Sequence, residues 1–160
     1  MPSPIRPTDD DARALAQGLM AQARHCALAT LDATGAPLVA RVAFGLAGDG
    51  TPISLVSTLS HHTQALMREP RCALLLGEPG PKGDPLTHPR LTLQARADPV
   101  QRTDPGFDPL QAGWLESHPK SRLYIGFTDF LFVRFELSQA FLNGGFGKAF
   151  TLTPADLSQS

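Results

Sequence analysis

Cys26-Ala-Leu-Ala-Thr-Leu31 runs into Asp32-Ala-Thr-Gly35, then Pro37 to Leu46, Ala47-Gly-Asp-Gly50, and Pro52 to Val56. Short apolar runs broken by Gly and Asp turns are the pattern of an antiparallel meander. An aspartate side chain can bond the backbone of its own turn, and a glycine can take the positive φ that a tight reversal needs.

The same reading extends in both directions. Upstream, Asp9 to Asp11 cap and charge-complement a helix over about residues 9–24, with Leu15, Leu19 and Met20 on one face. Downstream, Ser60 to Arg68 breaks the strand pattern with a cap residue, helix formers and Pro70 beyond the end, which predicts a short helix. Arg71 to Glu78 and Arg90 to Val100 read as strands on either side of the loop Pro79-Gly-Pro-Lys-Gly-Asp-Pro85. The second of them puts Arg90, Thr92, Gln94 and Arg96 on one face, a wet or ligand-facing surface. Leu110 to Tyr124 predicts short helices broken at His118-Pro119, Phe130 to Leu137 a strand, and Gly144-Gly-Phe-Gly147 a sharp turn or close approach. About six strands in meander order imply a closed or nearly closed antiparallel barrel, because an open sheet would leave two bare edges. The fold class is therefore mainly β with a few short helices.

Composition excludes several functions. The 160 residues, 42% of them hydrophobic, fit one domain with a single core. A net charge of −1, from 14 basic and 15 acidic residues, supplies no global field for nucleic acid or an anionic membrane. No run approaches the roughly 18 apolar residues of a membrane span. Residues 1–11, rich in proline and ending in three aspartates, do not form a secretory signal, so the expected location is the cytoplasm. Cys26 and Cys72 lie in apolar runs without a CxxC pair, as reduced core cysteines do, and no metal-ligand cluster stands out.

Leu55-Val-Ser-Thr-Leu-Ser-His-His-Thr-Gln64, with Arg41 on the preceding strand, concentrates hydroxyls and imidazoles where a strand gives way to a helix. Unpaired N–H groups and the positive dipole end of that helix would satisfy a phosphate dianion, with Ser57, Ser60 and Thr63 as hydroxyl donors. Arg41 adds a bidentate fork, and His61 and His62 further donors that become cationic beside a dianion. The same residues also read as an ordinary serine cap, a solvated arginine and surface histidines, and their spacing alone does not separate the two.

With Cys26 to Leu31 and Gly35-Ala-Pro37, the stretches Ser57-Thr-Leu-Ser-His-His-Thr63, Asp84-Pro-Leu, Pro89-Arg-Leu-Thr-Leu93, His118-Pro119, Phe127-Thr-Asp-Phe130 and Gly144-Gly-Phe-Gly-Lys-Ala149 resemble one family. It is the flavin-mononucleotide-binding split β-barrels related to pyridoxamine-phosphate oxidase, in the branch that includes the haem-utilisation proteins. The resemblance covers about residues 23–157. It implies a six-stranded split barrel and a homodimer with the flavin between subunits, and it offers a use for Phe130, Phe132 and Phe135. It also implies a phosphate grip by Arg41 of the second strand and by Ser60, His61 and His62, with Arg90 facing the isoalloxazine; Val42, Ser57 and Thr63 are the further expected cofactor contacts. The oxidase itself has Arg-Lys where this chain has His61-His62, which implies a weaker, pH-dependent grip.

Three functions follow as expectations: an oxidoreductase using flavin mononucleotide on a small molecule, a haem-binding or haem-degrading protein, and a non-enzymatic flavin-binding module. The oxidase's own activity is disfavoured, because this chain ends in Gly144-Gly-Phe-Gly147 and an ordinary tail in place of the oxidase's arginine- and histidine-rich terminus. The haem reading needs an axial ligand, yet none of the five histidines lies in the C-terminal region where the family's haem proteins place theirs. Asp129 matches the family's Asp-Phe motif and reads also as a strand-start turn residue. Trp114 can stack on a ligand or fill the core, and Lys148 and Arg134 can meet an acidic substrate or simply be solvated. No residue is assigned a catalytic role.

Overall fold

The computed structural model describes residues 4–158. One antiparallel sheet of eight strands contains β1 (His25–Leu31), β2 (Pro37–Ala43), β3 (Gly45–Leu46), β4 (Pro52–Ser57), β5 (Arg71–Leu76), β6 (Arg90–Val100), β7 (Phe130–Asn143) and β8 (Ala149–Leu152). The helices are α1 (Asp10–Gln22), α2 (His61–Arg68), α3 (Phe107–Ser117) and α4 (Pro154–Leu157).

The strand order is β2-β1-β5-β6-β7-β4-β3, with β8 paired to β7. Its two ends, β2 and β3, are separated by Phe44 alone, so they are one strand with a bend, and that bend closes the sheet. With β2 and β3 taken together, the closed path is the expected six-stranded split barrel. The bend requires glycine after it: a Cβ on Gly45 would stand 2.9 Å from the Trp114 ring.

Alternation along the strands places Leu28, Leu74, Leu93, Ala140 and Leu152 opposite one another across five strands, all essentially inaccessible. The row is part of the larger buried core, whose removal from water is the main favourable term in folding. α1 joins the same core through Ala12, Ala16 and Met20, and α4 through Leu157. The Asp9 side chain accepts from the Ala12 N–H, the cap expected there.

A second cluster lies outside the barrel. Phe107, Leu110 and Trp114 of α3 cover the outer faces of β4 and β7, meeting Ile53, Leu55 and Phe132. This corrects one expectation: Phe132 and Phe135 are not surplus, since both are fully buried within the subunit, and Phe130 packs on Tyr124 with ring centroids 5.0 Å apart. An uncovered apolar sheet face lies elsewhere, on the outer side of β2, β1, β5 and the far half of β7. There Val39, Leu75 and Phe141 remain 68%, 47% and 39% exposed, with Ala27, Ala29 and Ala73 between them.

β7 runs six residues beyond its expected end at Leu137. The register shifts between Gln94 and Ala95 because Ser138 is an extra residue, and its hydroxyl donates to the Gln94 carbonyl at 3.1 Å. α4, with its Thr153–Asp156 capping box, was not anticipated.

Candidate functional site

β4 and β7 pair as far as Ser57 and Phe130, and a side-chain clip continues the pairing. The Thr58 N–H donates to the Asp129 carbonyl at 2.7 Å, and the Ser57 hydroxyl donates to the Asp129 carboxylate at 2.6 Å. Ser57 Oγ in turn accepts the Leu59 N–H at 3.1 Å. The clip turns the chain out of the sheet and into α2.

Ser60 occupies the N-cap with extended backbone, φ −81° and ψ 143°, but its hydroxyl makes no capping bond. The first N–H groups of α2 therefore have no side-chain acceptor among the described residues, which is the electrostatic arrangement that favours an anion. Thr63, Ala65 and Leu66 bury one side of α2, which packs on β1 and β2. Arg41 lies on β2, exposed and without an ion pair among the described residues.

The remaining expected contacts fare unevenly. Val42 points inward, 6% exposed, so only its backbone can serve a ligand. Thr63 is buried, with a hydroxyl that has no hydrogen-bond partner among the described residues. His61 is exposed and His62 half-buried; burial, and then the neighbouring His61, hold the His62 pKa below the ordinary histidine value. Arg90 pairs with Asn143, whereas Ser57 pairs with Phe130 at the other end of β7, so the fold does not bring Arg90 to Ser57 within one subunit. Its guanidinium donates to the Leu86 carbonyl at 2.9 Å and lies 3.4 Å from that of His88.

Trp114 is core, 2% exposed, and donates to Ser121 Oγ at 3.0 Å. Arg134 donates to Asp49 at 2.7 Å and Thr51 at 3.0 Å and stands opposite Asp98, so its charge is already compensated. It borders a groove of about 680 Å³ between α1, the β3–β4 turn, β7 and α4. Lys148 is exposed on the loop between β7 and β8.

Two histidines have both ring nitrogens engaged. His88 accepts the Gly80 N–H and meets the Lys82 carbonyl, and His118 meets the Ser117 hydroxyl and the Phe44 carbonyl. His25 stands 3.8 Å from Glu78, leaving His61 and His62 as the imidazoles with no hydrogen-bond or ion-pair partner among the described residues. What the sequence reading missed is the Ser57–Asp129 pair. The two residues are 72 positions apart, and only the alignment of β4 with β7 joins them.

The CREG β-barrel family model matches residues 7–158. The chain is 32% identical over 102 residues to the non-canonical heme oxygenase HOZ, chloroplastic, of Arabidopsis thaliana; the match covers 64% of this chain and 30% of that protein. The chain thus spans less than a third of that curated relative. The structure of a heme binding protein from Mycobacterium smegmatis superposes with a TM-score of 0.82 at 27% identity, covering 96% of this chain and 61% of that one. A FAD-binding protein from Mesorhizobium loti superposes with a TM-score of 0.60 at 14% identity, covering 78% and 88%, a likeness of fold alone. No helix among the described residues is long and apolar enough to cross a membrane.

Proposed function

The chain belongs to the CREG β-barrel family, and from that premise we propose that it is a homodimeric flavin-mononucleotide-binding protein whose anion site is the start of α2. The observation that carries this reading is the pairing of two unused donors: the Ser60 hydroxyl makes no cap, and Arg41 has no acidic partner among the described residues. Ser60, Arg41, His61 and the α2 backbone would hold the phosphate, with His62 joining once protonated. A bound flavin supplies electron transfer to or from a small molecule in the cytoplasm; the chain's own residues bind and orient it.

Arg41 also starts an outward row, Arg41–Ala27–Leu75–Thr92–Phe141, across the uncovered sheet face. A second copy seated on Val39, Leu75 and Phe141 would remove this apolar surface from water and enclose the ligand beside Arg41. Arg90, on β6 opposite the far end of β7, would reach the flavin only across such an interface. The test is a titration of flavin mononucleotide and riboflavin into the wild type, Arg41→Ala and Ser60→Ala. Both variants are expected to weaken flavin mononucleotide by roughly tenfold or more and riboflavin little; equal losses would move the phosphate elsewhere.

Haem is the second reading, and the names of the Arabidopsis and Mycobacterium relatives favour it. Propionates are anions that the same donors can take, and an iron ligand from this chain would come from His61 or His62.

A further inference from the structure

We propose that Asp129 sets the charge preference of the anion site, discriminating against dianions in favour of monoanionic acids such as a carboxylate or a phosphodiester. The inference rests on the anion site at the start of α2. It arises from the Ser57–Asp129 bond, which turns both residues away from the role the sequence suggests. The Ser57 proton is donated to Asp129 at 2.6 Å and its oxygen accepts the Leu59 N–H at 3.1 Å, so Ser57 has little left to offer a ligand. The carboxylate places a negative charge one hydrogen bond from a residue three positions before the N-cap of α2. Val42 and Thr63 are buried, and burial disfavours the cationic form of His62, so Arg41 and the helix end carry most of the balance against both Asp129 and the ligand. A monoanion fits that balance, and each further negative charge on the ligand is opposed by Asp129. Flavin mononucleotide would then be an exchangeable ligand here, not a tightly held resident.

Asp129→Asn keeps an acceptor for the Ser57 hydroxyl and removes the charge; Ser57→Ala removes the hydroxyl and keeps the charge. At pH 8, where a phosphate monoester is dianionic, Asp129→Asn is expected to tighten flavin mononucleotide roughly five- to tenfold while riboflavin stays within about twofold. Ser57→Ala is expected to tighten neither. An unchanged ratio of the two flavins in Asp129→Asn, or equal tightening in both variants, would overturn the proposal. Should no flavin bind any of the three proteins, the flavin reading fails on its own. Inorganic phosphate then decides the role of Asp129: at matched ionic strength it should raise the melting temperature of Asp129→Asn more than formate does, with no such excess in the wild type. Absence of that gain would overturn it.

Discussion

His118 lies flat on Trp114, with ring centroids 3.8 Å apart and planes within 5°. Its Nε2 faces the carbonyls of Phe44 at 2.9 Å and Arg24 at 3.3 Å, and its Nδ1 meets the Ser117 hydroxyl at 2.8 Å. The imidazole thus pins the end of α3 onto the bend that closes the barrel. His118→Ala should cost about 1–3 kcal/mol in urea unfolding, and His118→Phe, which keeps the stacked ring, should recover part of that.

The same contact makes the two glycines nearby behave oppositely. Gly45→Ala drives a methyl against Trp114 and should destabilise by about 1–3 kcal/mol. Gly113→Ala, in α3 with nothing within 4 Å of the added carbon, should stabilise by about 0.5–1 kcal/mol. Paired denaturation curves check both signs.

His62 gives the ligand-free protein an acid sensitivity. Because burial lowers its folded pKa from 6.5, the unfolded chain takes the proton more readily. Its contribution to stability is complete above about pH 6.5 and is lost as the pH falls through the folded value. The melting temperature should decline between pH 7 and 5, and His62→Gln should flatten that decline. Flavin phosphate binding should run the other way, strengthening as His62 becomes cationic.

Both thiols are pushed up to about 12 by burial, so they remain protonated at neutral pH. Iodoacetamide at pH 8 should modify the folded chain far more slowly than the chain in urea, and mass spectrometry of timed samples checks it.

Much of the barrel was legible because alternation and turn chemistry are local. The Asp32 carboxylate accepts from the Thr34 and Ala36 N–H groups and Gly35 takes φ +82°, as the Asp-Ala-Thr-Gly turn suggests. The α2 start was legible for the same reason. The far half of β7 was not, since a bulge at Ser138 interrupts the period-two pattern on which strand reading depends. Nor was the fate of Phe132, which depends on α3 folding over it. The expected site residues divide likewise: the places of Ser60 and His61 at the start of α2 are local features, while the inward turn of Val42 and the Ser57–Asp129 bond depend on pairing across the sheet.

If the uncovered sheet face is the dimer interface, charges placed on it should separate the subunits. Val39→Asp with Leu75→Asp should yield a monomer by light scattering, with unchanged far-ultraviolet circular dichroism and much weakened flavin binding. A double variant that stays dimeric would place the interface elsewhere.

The visible absorption spectrum of the purified protein, recorded while flavin mononucleotide or haemin is added, separates a flavin site from a haem site. Perturbed flavin bands that saturate with one flavin per subunit and shift back on adding excess phosphate are expected. A protein that leaves the flavin spectrum unchanged but develops a sharp Soret band with haemin would contradict the flavin reading.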